Sequence, residues 1–150
     1  MERKMVIMIG LQGSGKSTFY QKMLSGEYLR VNLDTLKTRH RERLLIEDCL
    51  ARGCAFAVDN TNPTREDRAR YISAAKPLGY HVIGYYMKAD FKDCMARNAL
   101  REGKARVPDV AIAATAKKLE PPAFDEGFDE LYAVSNDGVT MTVTPWEDKI

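Results

Sequence analysis

Short apolar runs alternate with longer, more polar stretches along the whole chain. Met5-Val6-Ile7-Met8-Ile9 is apolar at every position, the pattern of a strand buried on both faces. Tyr28–Asn32, Ala55–Val58, His81–Tyr86 and Leu131–Val134 are further short runs bounded by polar or turn-forming residues. Segments of helical character lie between them. Phe19–Leu24 is closed by Ser25-Gly26, and Thr35–Arg52 has Asp34 as a candidate cap and Gly53 after its end. Thr64–Ala75 exits at Pro77 and Gly79. Asp90 can cap a helix reaching Arg101, and Asp109–Leu119 is stopped by Pro121-Pro122. Residues 102–108 read as a basic, lid-like loop. From about 136 the tail begins with an Asn136-Asp137-Gly138 turn and an edge strand over Val139–Val143. Repeated βα units predict one α/β domain over residues 1–150, with a parallel sheet of about five strands and helices on both faces.

Ligands of such sheets bind beyond the carboxyl ends of the strands. The rim is therefore where chemistry is sought. After the first strand the chain reads Gly10-Leu11-Gln12-Gly13-Ser14-Gly15-Lys16-Ser17-Thr18, a Gly-x-x-x-x-Gly-Lys-Ser phosphate-binding loop between a strand and a helix. Its backbone N–H groups and the helix dipole favour a phosphate chain. Lys16 is expected to reach the outer phosphates and Ser17 to ligate Mg2+, so ATP and Mg2+ are the expected ligands.

Transfer, as opposed to binding, also needs a group that orients the nucleophile and cations on the moving phosphoryl group. Asp34, eighteen residues after Lys16, ends the second strand. It suits a general base on an acceptor hydroxyl, and serves equally well as a helix cap. Asp59 ends the third strand, where it can support the metal or open an Asx turn. Asn60, Thr61 and Asn62 are turn-formers that can also position an acceptor. Arg97, Arg101, Lys104 and Arg106 gather at one helix end and the loop after it, as a cationic lid would. Lys37, Arg39, Arg41 and Arg43 form a basic strip suited to a phosphate backbone or to a solvated helix face. Arg65, Arg68 and Arg70 read as solvated.

Net charge is only +2, but residues 30–106 carry +6 and residues 107–150 carry −6. A basic middle suits a polyanionic partner. No apolar run has the length of a membrane span. Cys49, Cys54 and Cys94 lack metal spacing and fit a reducing cytosol, so a cytoplasmic protein without membrane contact is expected.

Val58-Asp59-Asn60-Thr61-Asn62-Pro63 followed by Arg68-Ala69-Arg70-Tyr71-Ile72 resembles the 5′-kinase domain of polynucleotide kinases. So do Val31-Asn32-Leu33-Asp34-Thr35-Leu36, Arg97-Asn98 with Arg101, Val107-Pro108, Leu119-Glu120-Pro121 and Glu126-Gly127-Phe128. The resemblance runs over roughly residues 5–134. It implies a P-loop kinase fold and ATP-dependent phosphorylation of a DNA or RNA 5′-hydroxyl. Asp34 would be the general base, and Arg101, aided by Arg97, the lid arginine on the donor phosphates. Lys37 would contact a nucleic-acid phosphate. Two positions depart from the family. Leu33 stands where an arginine often precedes the acid, and lysine at 37 keeps the charge but loses the bidentate fork. The length implies a kinase without a fused phosphatase or ligase domain, and is compatible with a homo-oligomer or with a separate phosphatase or ligase partner. A P-loop kinase of sugars, nucleosides or antibiotics shares every donor-side residue. A non-catalytic ATP-binding module is the third reading.

Overall fold

The computed structural model describes residues 3–103, 106–136 and 139–147. Strand β1 (Lys4–Ile9) sits inside a six-stranded sheet of order β2-β3-β1-β4-β5-β6. The others are β2 (Leu29–Val31), β3 (Phe56–Val58), β4 (His81–Lys88), β5 (Glu130–Asn136) and β6 (Met141–Pro145). Every neighbouring pair is parallel except β5 with β6, so the edge strand expected over Val139–Val143 is present, two residues later, as an antiparallel strand beside the five parallel ones. The apolar run at β1 follows from its position: Met5, Ile7 and Ile9 enter one core layer, and Val6 and Met8 enter the other. On the first face they meet Ile46, Leu50 and Ile72. On the second they meet Phe19, Tyr20 and Leu24.

The helices are α1 (Lys16–Phe19), which widens into a π turn over Tyr20–Leu24, α2 (Leu33–Leu36), α3 (Arg39–Arg52), α4 (Arg65–Ala75), α5 (Phe91–Ala99) and α6 (Asp109–Lys118). The helix expected over Thr35–Arg52 is two helices. Lys37 takes φ 77, a left-handed conformation that ends α2, and Thr38 restarts the chain by accepting from Arg41 N–H. Asp34 is not a cap either. Asn32 caps α2, its side chain accepting from Thr35 N–H, and Asp34 lies in the first turn. The Asp90 helix ends at Ala99, two residues short of Arg101. Lys104 and residues 137–138 of the expected turn lie outside the described residues.

Arg68 is fully buried, which corrects its reading as a solvated charge. Its Nε and Nη2 grip both oxygens of Glu126 at 2.8 and 3.1 Å, and Nη1 donates to the Asn62 carbonyl at 3.0 Å. The segment before β5 is thus tied to the loop after β3. Elsewhere the sheet depends on close approach. A Cβ on Gly84 of β4 would come within 2.6 Å of Leu131 Cδ1 and 2.7 Å of Phe128 Cε1. Gly84→Ala is expected to cost about 1–3 kcal/mol, read as a lower urea midpoint at unchanged slope.

Candidate active site

The strand order reverses beside β1, and the phosphate loop leaves β1 at that point. Gly13 (φ 81) and Gly15 (φ 99) adopt conformations that favour glycine, and Gly15 directly precedes α1. The loop is held from two sides. Gly10 N–H donates to the Thr61 carbonyl at 3.0 Å, and Arg97 donates to the Gly13 carbonyl at 3.0 Å. Lys16 Nζ folds over the loop, donating to the Gly10 and Leu11 carbonyls at 2.9 and 2.8 Å. Burial lowers its pKa to about 8, although Asp59 pulls the other way. Two buried polar atoms of the loop, Gln12 Oε1 and Ser14 Oγ, have no hydrogen-bond partner among the described residues. Such atoms are rare in folded proteins and suit a loop that takes a polar ligand.

A cleft of about 340 Å³ opens in front of the loop, and Lys16, Ser17, Asp34, Asp59, Asn60 and Arg101 line it together. Thr61 also lines it. A second cleft of about 240 Å³ lies at the other side of the loop, lined by Gly15, Thr18, Arg97, Asn136 and Met141. Gly13 and Arg101 belong to both. Arg101 therefore stands where the two clefts meet.

The Asp59–Pro63 run is a brace as much as a lining. Asn60 Oδ1 accepts from Leu33 N–H at 2.9 Å, so it holds the turn that carries Asp34. Asn60 Nδ2 donates to Glu42 at 2.9 Å, and Glu42, only 2 % exposed, also accepts from Tyr71 and Arg39. Asn62 takes φ 44 and donates to the Met8 carbonyl at 2.8 Å. Asp59 is buried, and its carboxylate accepts from Arg30 at 2.7 Å. The same guanidinium donates to Ser17 Oγ at 2.8 Å. The hydroxyl and the carboxylate thus already share one cation. Two hard oxygen donors so arranged fit magnesium, which takes few protein ligands and completes its shell with water and phosphate oxygens.

Two expected residues stand apart from the cleft. Lys37, at the break between α2 and α3, does not line it, whereas Arg39 does. Arg106 is exposed and lines neither cleft. Sequence reasoning missed Arg30, Glu42 and the separate importance of Arg39. Thr38, a good N-cap residue ahead of an apolar periodic segment, was the available signal that a new helix begins at Arg39.

Comparisons with known proteins bear on the family and the fold. A protein of Acanthamoeba polyphaga mimivirus, provisionally named a bifunctional polynucleotide phosphatase/kinase, is 30% identical over 141 residues. The match takes in 89% of this chain and 34% of that protein. The bifunctional polynucleotide phosphatase/kinase of Schizosaccharomyces pombe is 26% identical over 130 residues, covering 84% of this chain and 32% of the relative. The chain thus spans about a third of the length of the curated relatives it matches. Among solved structures, an unliganded sugar kinase from Janibacter sp. HTCC2649 superposes with a TM-score of 0.68 at 16% identity, covering 88% of this chain and 84% of that one. That likeness is one of fold. The model of the family described as AAA domain matches residues 5–122, most of the chain and all of the phosphate loop and cleft residues up to Lys118. With its P-loop and its mainly parallel sheet, the chain belongs to this AAA domain family.

Proposed function

We propose that this chain transfers the γ-phosphoryl group of ATP to the 5′-hydroxyl of a nucleic-acid strand. One observation carries the proposal: Asp34, an acid with no capping task, faces the same cleft as Lys16, Ser17 and Arg101. The names of the two relatives favour a polynucleotide acceptor. In this reading Gly10 to Thr18 cradle the donor phosphates and Lys16 holds the outer ones. Ser17 and Asp59 would hold magnesium, which when bound neutralises charge on the phosphate oxygens. Asp34 accepts the proton of the 5′-hydroxyl as its oxygen bonds to the γ-phosphorus, and the bond from that phosphorus to the bridging oxygen of ADP breaks. Arg101 and Arg97 offset charge on the moving group. Asn60 and Thr61 shape the acceptor side. A cytoplasmic setting fits the three free cysteines. Among the described residues no helix is long and apolar enough to cross a membrane.

Arg39 takes over the phosphate contact first expected of Lys37. Glu42 and Tyr71 hold its guanidinium from behind, at 2.9 Å each, so little ordering remains to be done when a phosphate arrives. Arg39→Ala is expected to raise the KM for a 5′-hydroxyl oligonucleotide about tenfold or more, at nearly unchanged kcat. It should also reduce the salt slope by about one charge. Lys37→Ala should do less. A KM insensitive both to salt and to Arg39→Ala would instead favour a small uncharged acceptor.

A further inference from the structure

We infer that Arg30 is the resident cation of the magnesium seat and must leave it when a magnesium–nucleotide pair loads. This rests on the donor-side reading above, in which Ser17 and Asp59 hold the metal. Arg30 lies on β2, outside every motif of the sequence. Its Nε and Nη2 both stand 2.7 Å from the same Asp59 oxygen, and Nη2 reaches Ser17 Oγ at 2.8 Å. The Asp59 side chain is 1% exposed. A carboxylate buried that deeply is costly without a countercharge, and Arg30 supplies one.

The arrangement cannot persist beside a metal on the same two oxygens. A guanidinium and a divalent cation within a few ångströms repel strongly in a site of reduced dielectric. Arg30 has the means to leave: its side chain is 30% exposed, and its Cζ lies 5.8 Å from the centroid of the Tyr20 ring. An aromatic face at that distance can hold a guanidinium that has given up its oxygen partners. Tyr20 opens the π turn after α1, and its hydroxyl is fixed on the Tyr28 carbonyl at 2.6 Å. Widened turns of this kind recur at functional sites. The consequence is an ordered seat. Free magnesium alone meets an arginine, whereas nucleotide phosphates add the ligands that tip the exchange. Asp59 is never left without a cation.

The test is nucleotide binding by calorimetry across a magnesium titration, with melting temperature recorded in parallel, for the wild-type protein and Arg30→Gln. If the seat is free of Arg30 about a tenth of the time or less, competition costs about tenfold in apparent affinity. Arg30→Gln should therefore lower the magnesium concentration at half-effect about tenfold, while binding in EDTA stays equal or weakens. Magnesium without nucleotide should raise the melting temperature of Arg30→Gln and not that of the wild type. Should Arg30→Gln fail to fold, Arg30→Lys serves: one ammonium cannot span both oxygens as the fork does, so a smaller shift in the same direction is expected. An unchanged or higher magnesium midpoint overturns the role of Arg30, and a loss of affinity alike with and without metal would make it a direct phosphate ligand. Wild-type binding that ignores magnesium would instead overturn the donor-side reading itself.

Discussion

Asp34→Asn is expected to lower phosphoryl transfer by about 10²–10⁴-fold, the span that a positioned general base contributes. Nucleotide binding and folding should be untouched. The reason lies in what Asp34 does not do. It is exposed, caps no helix, and leaves the capping of α2 to Asn32. Asparagine has the same shape, so an exposed substitution of this kind should change stability by less than about 0.5 kcal/mol. The turn that carries it is held from elsewhere, by Asn60 on the Leu33 N–H. Stopped-flow nucleotide binding, thermal melting and a steady-state transfer assay separate these effects. Reduced kcat with an unaltered nucleotide Kd and melting temperature is the expected pattern. A matching loss of stability would return Asp34 to a structural role.

Arg68→Ala should be the most damaging substitution for folding, at about 3–5 kcal/mol. The side chain is fully buried, and its partner Glu126 is 5% exposed. Truncation leaves a buried carboxylate without its fork and the Asn62 carbonyl without its donor. Since a domain of this size is stable by only about 5–15 kcal/mol, the loss is a large share of the total. Part of the loss is the unpaired charge, which gives a second test. The double variant Arg68→Met with Glu126→Gln should recover part of the stability, because an uncharged pair has less to desolvate. Urea midpoints at constant slope measure both. The same contact anchors the Asn60–Pro63 loop, so catalysis should weaken in the single variant even at temperatures where it remains folded.

These two residues also mark how far the sequence could be read. The place of Asp34 on the cleft was legible because it depends on local spacing: an acid just past the second strand, a fixed distance after the phosphate-loop lysine. The strands were legible for a related reason. Residues 5–9 of β1 are buried on both faces and have to be apolar, as do β3 and residues 82–84 of β4. The phosphate loop needs glycines at fixed offsets because its backbone is left-handed at two of them. Arg68 was not legible. Beside Glu66, Asp67 and Arg70 it looks like one more surface charge, and only its pairing with Glu126, 58 positions later, removes it from water. Arg30 and Glu42 fail for the same reason, since each is defined by a partner in the loop after β3, far from it in sequence. The break at Lys37 was hidden differently. A lysine at φ 77 carries no composition signal, and only the capping residue Thr38 after it marks the restart of the helical pattern.

The acceptor decides between a polynucleotide kinase and a kinase of small alcohols. The most direct measurement incubates the protein with magnesium and ATP labelled at the γ-phosphate. The acceptors are a 5′-hydroxyl DNA, its RNA counterpart, the same strands already 5′-phosphorylated, and a panel of sugars, nucleosides and aminoglycosides. Label is expected on the 5′-hydroxyl strands, released by a phosphatase acting on terminal phosphate, and none on the 5′-phosphorylated strands. Label on a small alcohol with none on any oligonucleotide would contradict a polynucleotide acceptor.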